Sequence, residues 1–580
     1  MKKTINKILF SLMAAVGCCA MLSSCFNDLD TMPIDDTQLV GDQVYVTTEG
    51  YMGVLAKCYG SLILTGQNGG DGGNGDLQGA NEGYSGYVRL LFYIQELPTD
   101  NFLMPSSSNG LRKCLNITWD ASNALVVTWT YQRLYMAIAY CNEFLRECTE
   151  SKLQSRGLWN EMKDDYLTYR AEARFIRAYC YSMLCDLFGD VPMVDENTGV
   201  KDLPEQWTRK AIFDYALGEI KAVSGETEGS LDLLAAPGAA PYAHVDRVAA
   251  WFLLSRMYLN AETWIGENHY NDALTYSKKV IESNVYPLAS DYRHIFLADN
   301  NTCREIIWPL VQDGIHAQSS AGTNFYVKAF VNGPMDELYN TGVGSKGWGN
   351  VRSKTTLVDA FDPADVMFDT NDTWGNNKND KRAQFMTALP NQVKDTWDPN
   401  MAMTSTFSYG YGYIKWRNVT RDDQICPSGD TYVSIDFPLF RTADAYLMAA
   451  EAILRGAAGS RTDALNYVNE VRCRAYMSDN YAVAGVKSTV SGKISDSQLT
   501  LDFILAERQR ELASECVRRT DLVRFGKFTS GKNWDWKGEE RLGTDVDSHF
   551  NIFPIPESEL MNNPTLKQNK GYTSTSAVKK

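Results

Sequence analysis

Trp251-Phe252-Leu253-Leu254-Ser255-Arg256-Met257-Tyr258, followed by Tyr270-x-x-Ala273-x-x-x-Ser277, decides the fold of this 580-residue chain. Positions 251, 254 and 258 recur at steps of three and four, which puts them on one face of an α-helix. Ala273 and Ser277 repeat the step in a second segment. A single helix pair cannot bury its own apolar faces and must stack on neighbours, so further pairs are expected. Outward from this stretch the same spacing returns. Helices fit 125–148, 159–188, 208–224, 245–264 and 269–284, the second carried by Tyr166, Tyr169, Ala173, Ile176, Tyr179 and Met183. Gly189-Asp190-Val191-Pro192 stops that helix, Gly first and Pro shortly after. Another pair is read at 446–455 and 461–476. There the run Ala443, Ala445, Ala449, Ala450, Ala452 supplies small residues that let helices approach.

The 251–258 spacing matches the first-helix pattern of the tetratricopeptide repeat, with Ser255 in place of Gly. The fold class expected is therefore mainly α, a tetratricopeptide-like helix-pair scaffold with long loop-rich, partly β insertions. The chain divides into a leader (1–24), a loop-rich segment (25–124), a helical block (125–299), a loop-rich insertion (300–436) and a second helical block (437–580). In 300–436 periodicity fades while Gly, Asn, Asp and Trp rise, and so long a loop-rich stretch in a compact protein is usually functional. Residues 26–120 read as irregular, with the Gly-rich run 68–76 as loop.

The chain carries 56 Lys+Arg against 71 Asp+Glu, a net charge of −15, which argues against binding nucleic acid or anionic lipid. Lys2, Lys3 and Lys7 precede an apolar stretch from Ile8 to Leu22, shorter than the ~20 residues of a membrane span and suited to a secretory leader. Leu22-Ser23-Ser24-Cys25 resembles a bacterial lipobox, which would make Cys25 a lipidated N-terminus; an ordinary signal peptide cut nearby is the plainer alternative. Of 13 Cys, those at 141, 148, 180 and 185 fall in helical patterns and read as small buried hydrophobes, and there is no C-x-x-C.

No catalytic pattern emerges. The five His have neither i,i+4 spacing nor an H-E-x-x-H, and no G-x-S-x-G elbow is present. Gly342-x-Gly344-x-x-Gly347 matches a dinucleotide fingerprint but lacks the flanking strand and helix, so it is read as coincidence. Among 71 acids a glycosidase pair escapes any sequence rule, yet no barrel-like strand–helix alternation accompanies one.

Four ordered motifs carry a family resemblance. They are Leu187-Phe188-Gly189-Asp190-Val191-Pro192; Asp436-Phe437-Pro438-Leu439-Phe440-Arg441-x-x-Asp444-x-Tyr446; Glu507-Arg508-x-x-Glu511-Leu512-x-x-Glu515-x-x-Arg518-Arg519-x-Asp521; and Phe553-Pro554-Ile555-Pro556 with Gln568-Asn569-x-Gly571-Tyr572. With the lipobox and Asp28 and Asp30 behind it, the chain resembles the SusD/RagB family of Bacteroidetes nutrient-binding lipoproteins, closest to its starch-binding branch. Glu507, Glu511 and Glu515 at i,i+4 spacing, with Arg508, Arg510, Arg518 and Arg519 nearby, read as a structural ion-pair network.

The resemblance implies a lipid-anchored outer-membrane protein facing the cell exterior. It would bind glycan and act as lid on a SusC-like TonB-dependent transporter, with no enzymatic chemistry and no required cofactor. A structural calcium near Asp299-Asn300-Asn301 is a further family expectation. Carried over singly, the ligand residues are Arg89, Asn81, Asn109 and Trp348, to which the aromatic run Tyr409-Gly410-Tyr411-Gly412-Tyr413 adds Tyr411. The sequence departs where a Trp pair becomes Met104 and Ser106 and where a Tyr falls at Ser320, which puts starch itself in doubt. The alternatives kept open are a relative binding peptide or another nutrient, and, last, a glycoside hydrolase.

Overall fold

A computed structural model of the chain describes residues 41–66, 75–77, 79–199, 202–369, 371–372, 374–389, 391–396, 407–426, 428–477 and 488–573. The leader, Cys25 and most of the Gly-rich run lie outside the described residues.

Two helices longer than two turns, α1 (Thr48–Gly60) and α2 (Tyr87–Gln95), precede the main scaffold among shorter helical segments and correct the irregular reading of 26–120. α1 is capped by Thr47, whose hydroxyl accepts from the Gly50 amide at 3.1 Å. It buries Tyr51, Leu55, Cys58 and Tyr59 against α3 (Leu125–Glu147). α2 is buried along its whole length and also packs on α3.

From α3 the helices stack in sequence: α4 (Tyr166–Leu187), α5 (Arg209–Val223), α6 (Arg247–Ile265) and α7 (Tyr270–Glu282), each packed on the one before. The helix predicted over 159–188 is broken at 163–165, leaving a short turn Trp159–Met162 ahead of α4. α4 stops where the sequence says, with Gly189 at φ +71°. The α6–α7 contact explains Ser255. Its hydroxyl lies 2.5 Å from that of Ser277 and donates to the Ala273 carbonyl at 2.9 Å, so the residue standing in for Gly binds the partner helix. Cys141, Cys148, Cys180 and Cys185 are buried free thiols, as expected.

After α7 the chain leaves the stack. Strand β1 (Ile306–Leu310) pairs antiparallel with β2 (Phe437–Arg441), closing the base of the insertion. Between them lie the short helix α8 (Thr323–Lys328), other short helical turns and two-residue strands. α9 (Thr442–Leu454) then packs on α7, and α10 (Arg461–Ala475) on α9, so the stack resumes where it was interrupted. α11 (Leu501–Leu512) packs on α9, and α12 (Arg518–Arg524) reaches back to α2. One apolar cluster runs from Tyr45 to Leu560. None of the described helices is long and apolar enough to cross a membrane.

The acidic motif is a buried ion network, but its partners differ from those expected. Arg382 reaches Glu507 at 2.7 Å and Glu511 at 3.0 Å; Arg441 reaches Glu511 at 2.6 Å and Glu305 at 2.9 Å; Arg474 binds Glu305 and Glu511. Of the neighbouring arginines only Arg510 joins, through Glu507; Arg508 binds Asp444 and Asp521, Arg518 binds Asp100, and Arg519 donates to the Asn551 carbonyl. Glu515 lies beyond the end of α11, between Ser514 and Cys516 at positive φ, and meets Lys415 and Arg441 from a loop.

Candidate glycan site

Trp348 is set by backbone geometry. Gly347 has no room for a side chain, since a Cβ there would lie 2.6 Å from the Val331 carbonyl oxygen, and Gly349 adopts φ +61°. The Trp348 and Gly349 amides donate to the carbonyls of Lys328 and Val331, both at 2.6 Å, fastening the loop to the end of α8. The Gly-x-Gly-x-x-Gly match therefore shapes this loop, and no βαβ unit surrounds it. The indole is half-buried, with part of it against the core.

Arg89 on α2 lies beneath. Its guanidinium carbon is 4.2 Å from the Tyr84 ring centre, 4.6 Å from Phe325 and 5.5 Å from Trp348, within cation–π range of all three. Its Nε donates to the Tyr93 hydroxyl at 2.6 Å, and Nη1 reaches the Gly83 and Ser320 carbonyls. Arg89 is 5% exposed and makes no ion pair among the described residues, so it brings an uncompensated positive charge to the aromatic group.

Beside Trp348 opens a cleft of about 540 Å³ lined by Ser320, Asn324, Lys328, Gly347, Tyr432 and neighbours. Lys328 donates to the Thr431 carbonyl at 2.6 Å, and burial, helped by the charge of Lys346, lowers its ammonium to about 8. Lys346 on the rim binds Asp430 at 2.5 Å and the Thr431 hydroxyl at 2.7 Å. None of the described residues lining the cleft is an acid.

The structure brings Arg89 and Trp348 together. Asn81 is exposed at the start of the helical turn Glu82–Ser85, whose Gly83 carbonyl takes Arg89. Asn109 sits in a left-handed turn (φ 55°) beside Gly110, which abuts Asn123 and Ala124, and is not among the described residues that line the Trp348 cleft. Tyr411 is half-buried, with its carbonyl accepting from the Ser353 amide at 2.7 Å. Its neighbour Tyr413 is a core residue. Met104 and Ser106 are both buried, whereas Ser320 lines the cleft. Tyr432 was missed. It restores an aromatic to the cleft from a loop, 428–434, that has no periodic pattern to reveal it.

At the position expected for calcium the side chains have protein partners. The Asp299 carboxylate is taken by Arg421 at 3.0 Å, and the Asn300 amide donates to the Ile295 and Asp436 carbonyls, both at 2.8 Å. Among the described residues no cluster of His, Cys, Asp or Glu could hold a metal ion.

Comparison with known proteins decides the family. A starch-binding protein, SusD, of Bacteroides thetaiotaomicron is 33% identical over 99% of this chain and 100% of its own length. The chain belongs to the SusD family. The model described as "SusD family" matches residues 304–572, and one described as "Starch-binding associating with outer membrane" matches 81–259. Among solved structures, a SusD superfamily protein from Bacteroides vulgatus superposes with a TM-score of 0.63 at 16% identity, covering 91% of this chain and 100% of that one. A surface glycan-binding protein A from B. thetaiotaomicron, in complex with laminarihexaose, gives 0.61 at 20% identity, covering 90% and 99%. At those identities the likeness is one of fold. Two of these similar proteins, the starch-binding SusD and the surface glycan-binding protein A, are named as binding proteins.

Proposed function

We propose that this SusD-family chain is a cell-surface lipoprotein that captures glycan in the Trp348 cleft. It passes oligosaccharide to a SusC-like TonB-dependent transporter, which it covers as a lid. The observation that carries the reading is the half-buried Trp348 indole over Arg89, opening on a cleft lined by polar and basic groups. A sugar offers a flat apolar face ringed by hydroxyls, which an indole plane and surrounding hydrogen-bonding groups complement. The described residues that line the cleft include no acid, whereas glycoside hydrolysis by its usual mechanism uses a pair of carboxylates. Lipidation at Cys25 would hold the protein on the outer membrane, with the lipid as its only membrane contact.

Retention by a panel of immobilised polysaccharides, with reducing ends assayed in the same samples, tests capture. Retention without release of reducing ends is expected; release, or no retention on any glycan, refutes the reading. Recovery of a TonB-dependent transporter with the affinity-tagged protein tests delivery.

A further inference from the structure

The cleft beside Trp348 is basic, in a chain whose net charge is −15. Its described lining holds two lysines and no acid. Both lysines meet one residue of the wall: Lys328 Nζ donates to the Thr431 carbonyl at 2.6 Å and Lys346 Nζ to the Thr431 hydroxyl at 2.7 Å. Asp430 pairs with Lys346 at 2.5 Å. Lys328, on α8, is 4% exposed and makes no ion pair among the described residues, and the charge of Lys346 opposes its own. An ammonium carries three donors, of which the described residues take one. Arg89, 5% exposed behind Trp348, adds a third cation with no acid partner among the described residues. A charge taken out of water is costly until an opposite charge meets it, and a low-dielectric cleft focuses the field of the charges it holds. Three cations against one carboxylate leave this cleft short of negative charge.

We infer that the glycan stacked at Trp348 is acidic, and that Lys328 and Lys346 hold its carboxylate or sulfate ester. A uronic acid carries its carboxylate at the edge of the sugar ring. A ring lying flat on the indole therefore turns that charge towards the cleft wall, where the two ammoniums meet Thr431. A sulfate ester on a ring hydroxyl also sits at the edge. Lysine is a compact point charge that takes either anion, so the shared chemistry is an anionic group on a sugar ring. The inference rests on the glycan reading of the cleft.

The test measures binding of the full-length chain, in detergent, to immobilised polysaccharides by biolayer interferometry. Pectin, alginate and hyaluronan carry carboxylates, carrageenan carries sulfate esters, and starch and laminarin are neutral. Each acidic polymer is paired with its neutralised form, carboxyl-reduced or desulfated, so that the backbone is held constant. Binding to at least one acidic polymer is expected, lost on neutralisation and weakened by added salt. The polymer that responds identifies carboxylate or sulfate. The chain's own negative charge opposes such binding, so non-specific attraction does not account for it. Lys328→Met should weaken affinity for the acidic polymer about tenfold to hundredfold, the scale of a hydrogen bond between charged groups. Lys346→Met, at an exposed side chain, serves where melting curves show the first variant to be poorly folded. It leaves Asp430 facing the anion and should weaken the same affinity. Equal binding of acidic and neutralised forms, or binding of neutral polymers alone, with Trp348→Ala impaired, overturns the acidic class and leaves the glycan reading standing. Acidic binding that both lysine variants retain overturns the site. No binding to any polymer, or unimpaired binding by Trp348→Ala, overturns the glycan reading and this inference with it.

Discussion

Trp348→Ala separates a ligand platform from a structural tryptophan. The indole presents part of its surface to the cleft, while the rest covers Arg89 and the core. Losing the cleft-facing part should remove about 1–3 kcal/mol of binding, the scale for burying a large apolar side chain, or about a fivefold to hundredfold fall in affinity. The covered part has a stability cost. Complete truncation of a core Trp costs about 3–5 kcal/mol, and the half-buried state of Trp348 places it at about 1–2. That is more than the sequence suggests, since an indole between two glycines in a loop reads as having few core neighbours. Trp416 supplies the contrast: it is 1% exposed, its Nε1 donates to the Ser514 hydroxyl at 2.9 Å, and it stacks on Phe437. Trp416→Ala should carry the full core cost and leave affinity unchanged in whatever fraction folds. Calorimetric titration with the bound glycan, paired with melting curves, reads both quantities. Unchanged affinity for Trp348→Ala would refute the reasoning and move the site, with the Tyr409–Tyr413 run as the next place to look.

Arg89→Met keeps an apolar stem under Trp348 but removes the bonds to Tyr93, Gly83 and Ser320; affinity should fall about tenfold by titration, and Arg89→Lys should restore little because a compact ammonium cannot stack. For Glu511, burial pushes the carboxyl up, but the charges of Arg474, Arg441 and Arg382 outweigh it and hold the group at about 2 against an ordinary 4.5. Its folded value is depressed, so the stabilisation is present above pH 4.5 and disappears as pH falls towards 2. It amounts to about 3 kcal/mol, and Glu511→Gln should flatten that part of an acid-unfolding curve followed by circular dichroism. Cys25→Ala should abolish lipidation and surface display; surface labelling of intact cells at the normal level would count against the anchor.

The repeat was legible because helix faces carry a period. α5 to α7 and the pair α9 and α10 begin and end within a few residues of their predicted limits, α4 ends where predicted but begins seven residues late, and Ser255 marks a real helix–helix contact. α1 was missed although Thr47 with Glu49 two residues on, and Tyr51, Leu55 and Cys58 at steps of four and three, form a usable signal. The cleft was legible only in part. Arg89 and Trp348 stand in local motifs, so resemblance could point to them one by one. Tyr432, Asn324 and Lys328 reach the same space from separate segments, and no local spacing encodes a meeting of that kind. The arginines around Glu511 escaped for the same reason: Arg382, Arg441 and Arg474 lie 129, 70 and 37 residues away along the chain.

That buried network bears on how a loop-rich insertion can hold a shaped cleft. Arg382 and Lys415 belong to the insertion, Glu305 to the residue before β1, Arg441 to the end of β2, Arg474 to α10, and Glu507 and Glu511 to α11. Replacing such ions with apolar residues could match their stability, because desolvation offsets much of the attraction. An apolar patch accepts many alternative packings, however, whereas each guanidinium here meets its carboxylates in one relative position of the two segments. The insertion is therefore tied at fixed points in its later half, by Arg382 to α11 and by Lys415 to the loop after it, and β1–β2 pairing closes its base. The cleft lies between α8, the Trp348 loop and the Thr431–Tyr432 segment, all within the span that β1 and β2 close. Binding a flexible glycan costs less when the protein side is already ordered, and this anchoring supplies that order without a periodic element in the cleft wall.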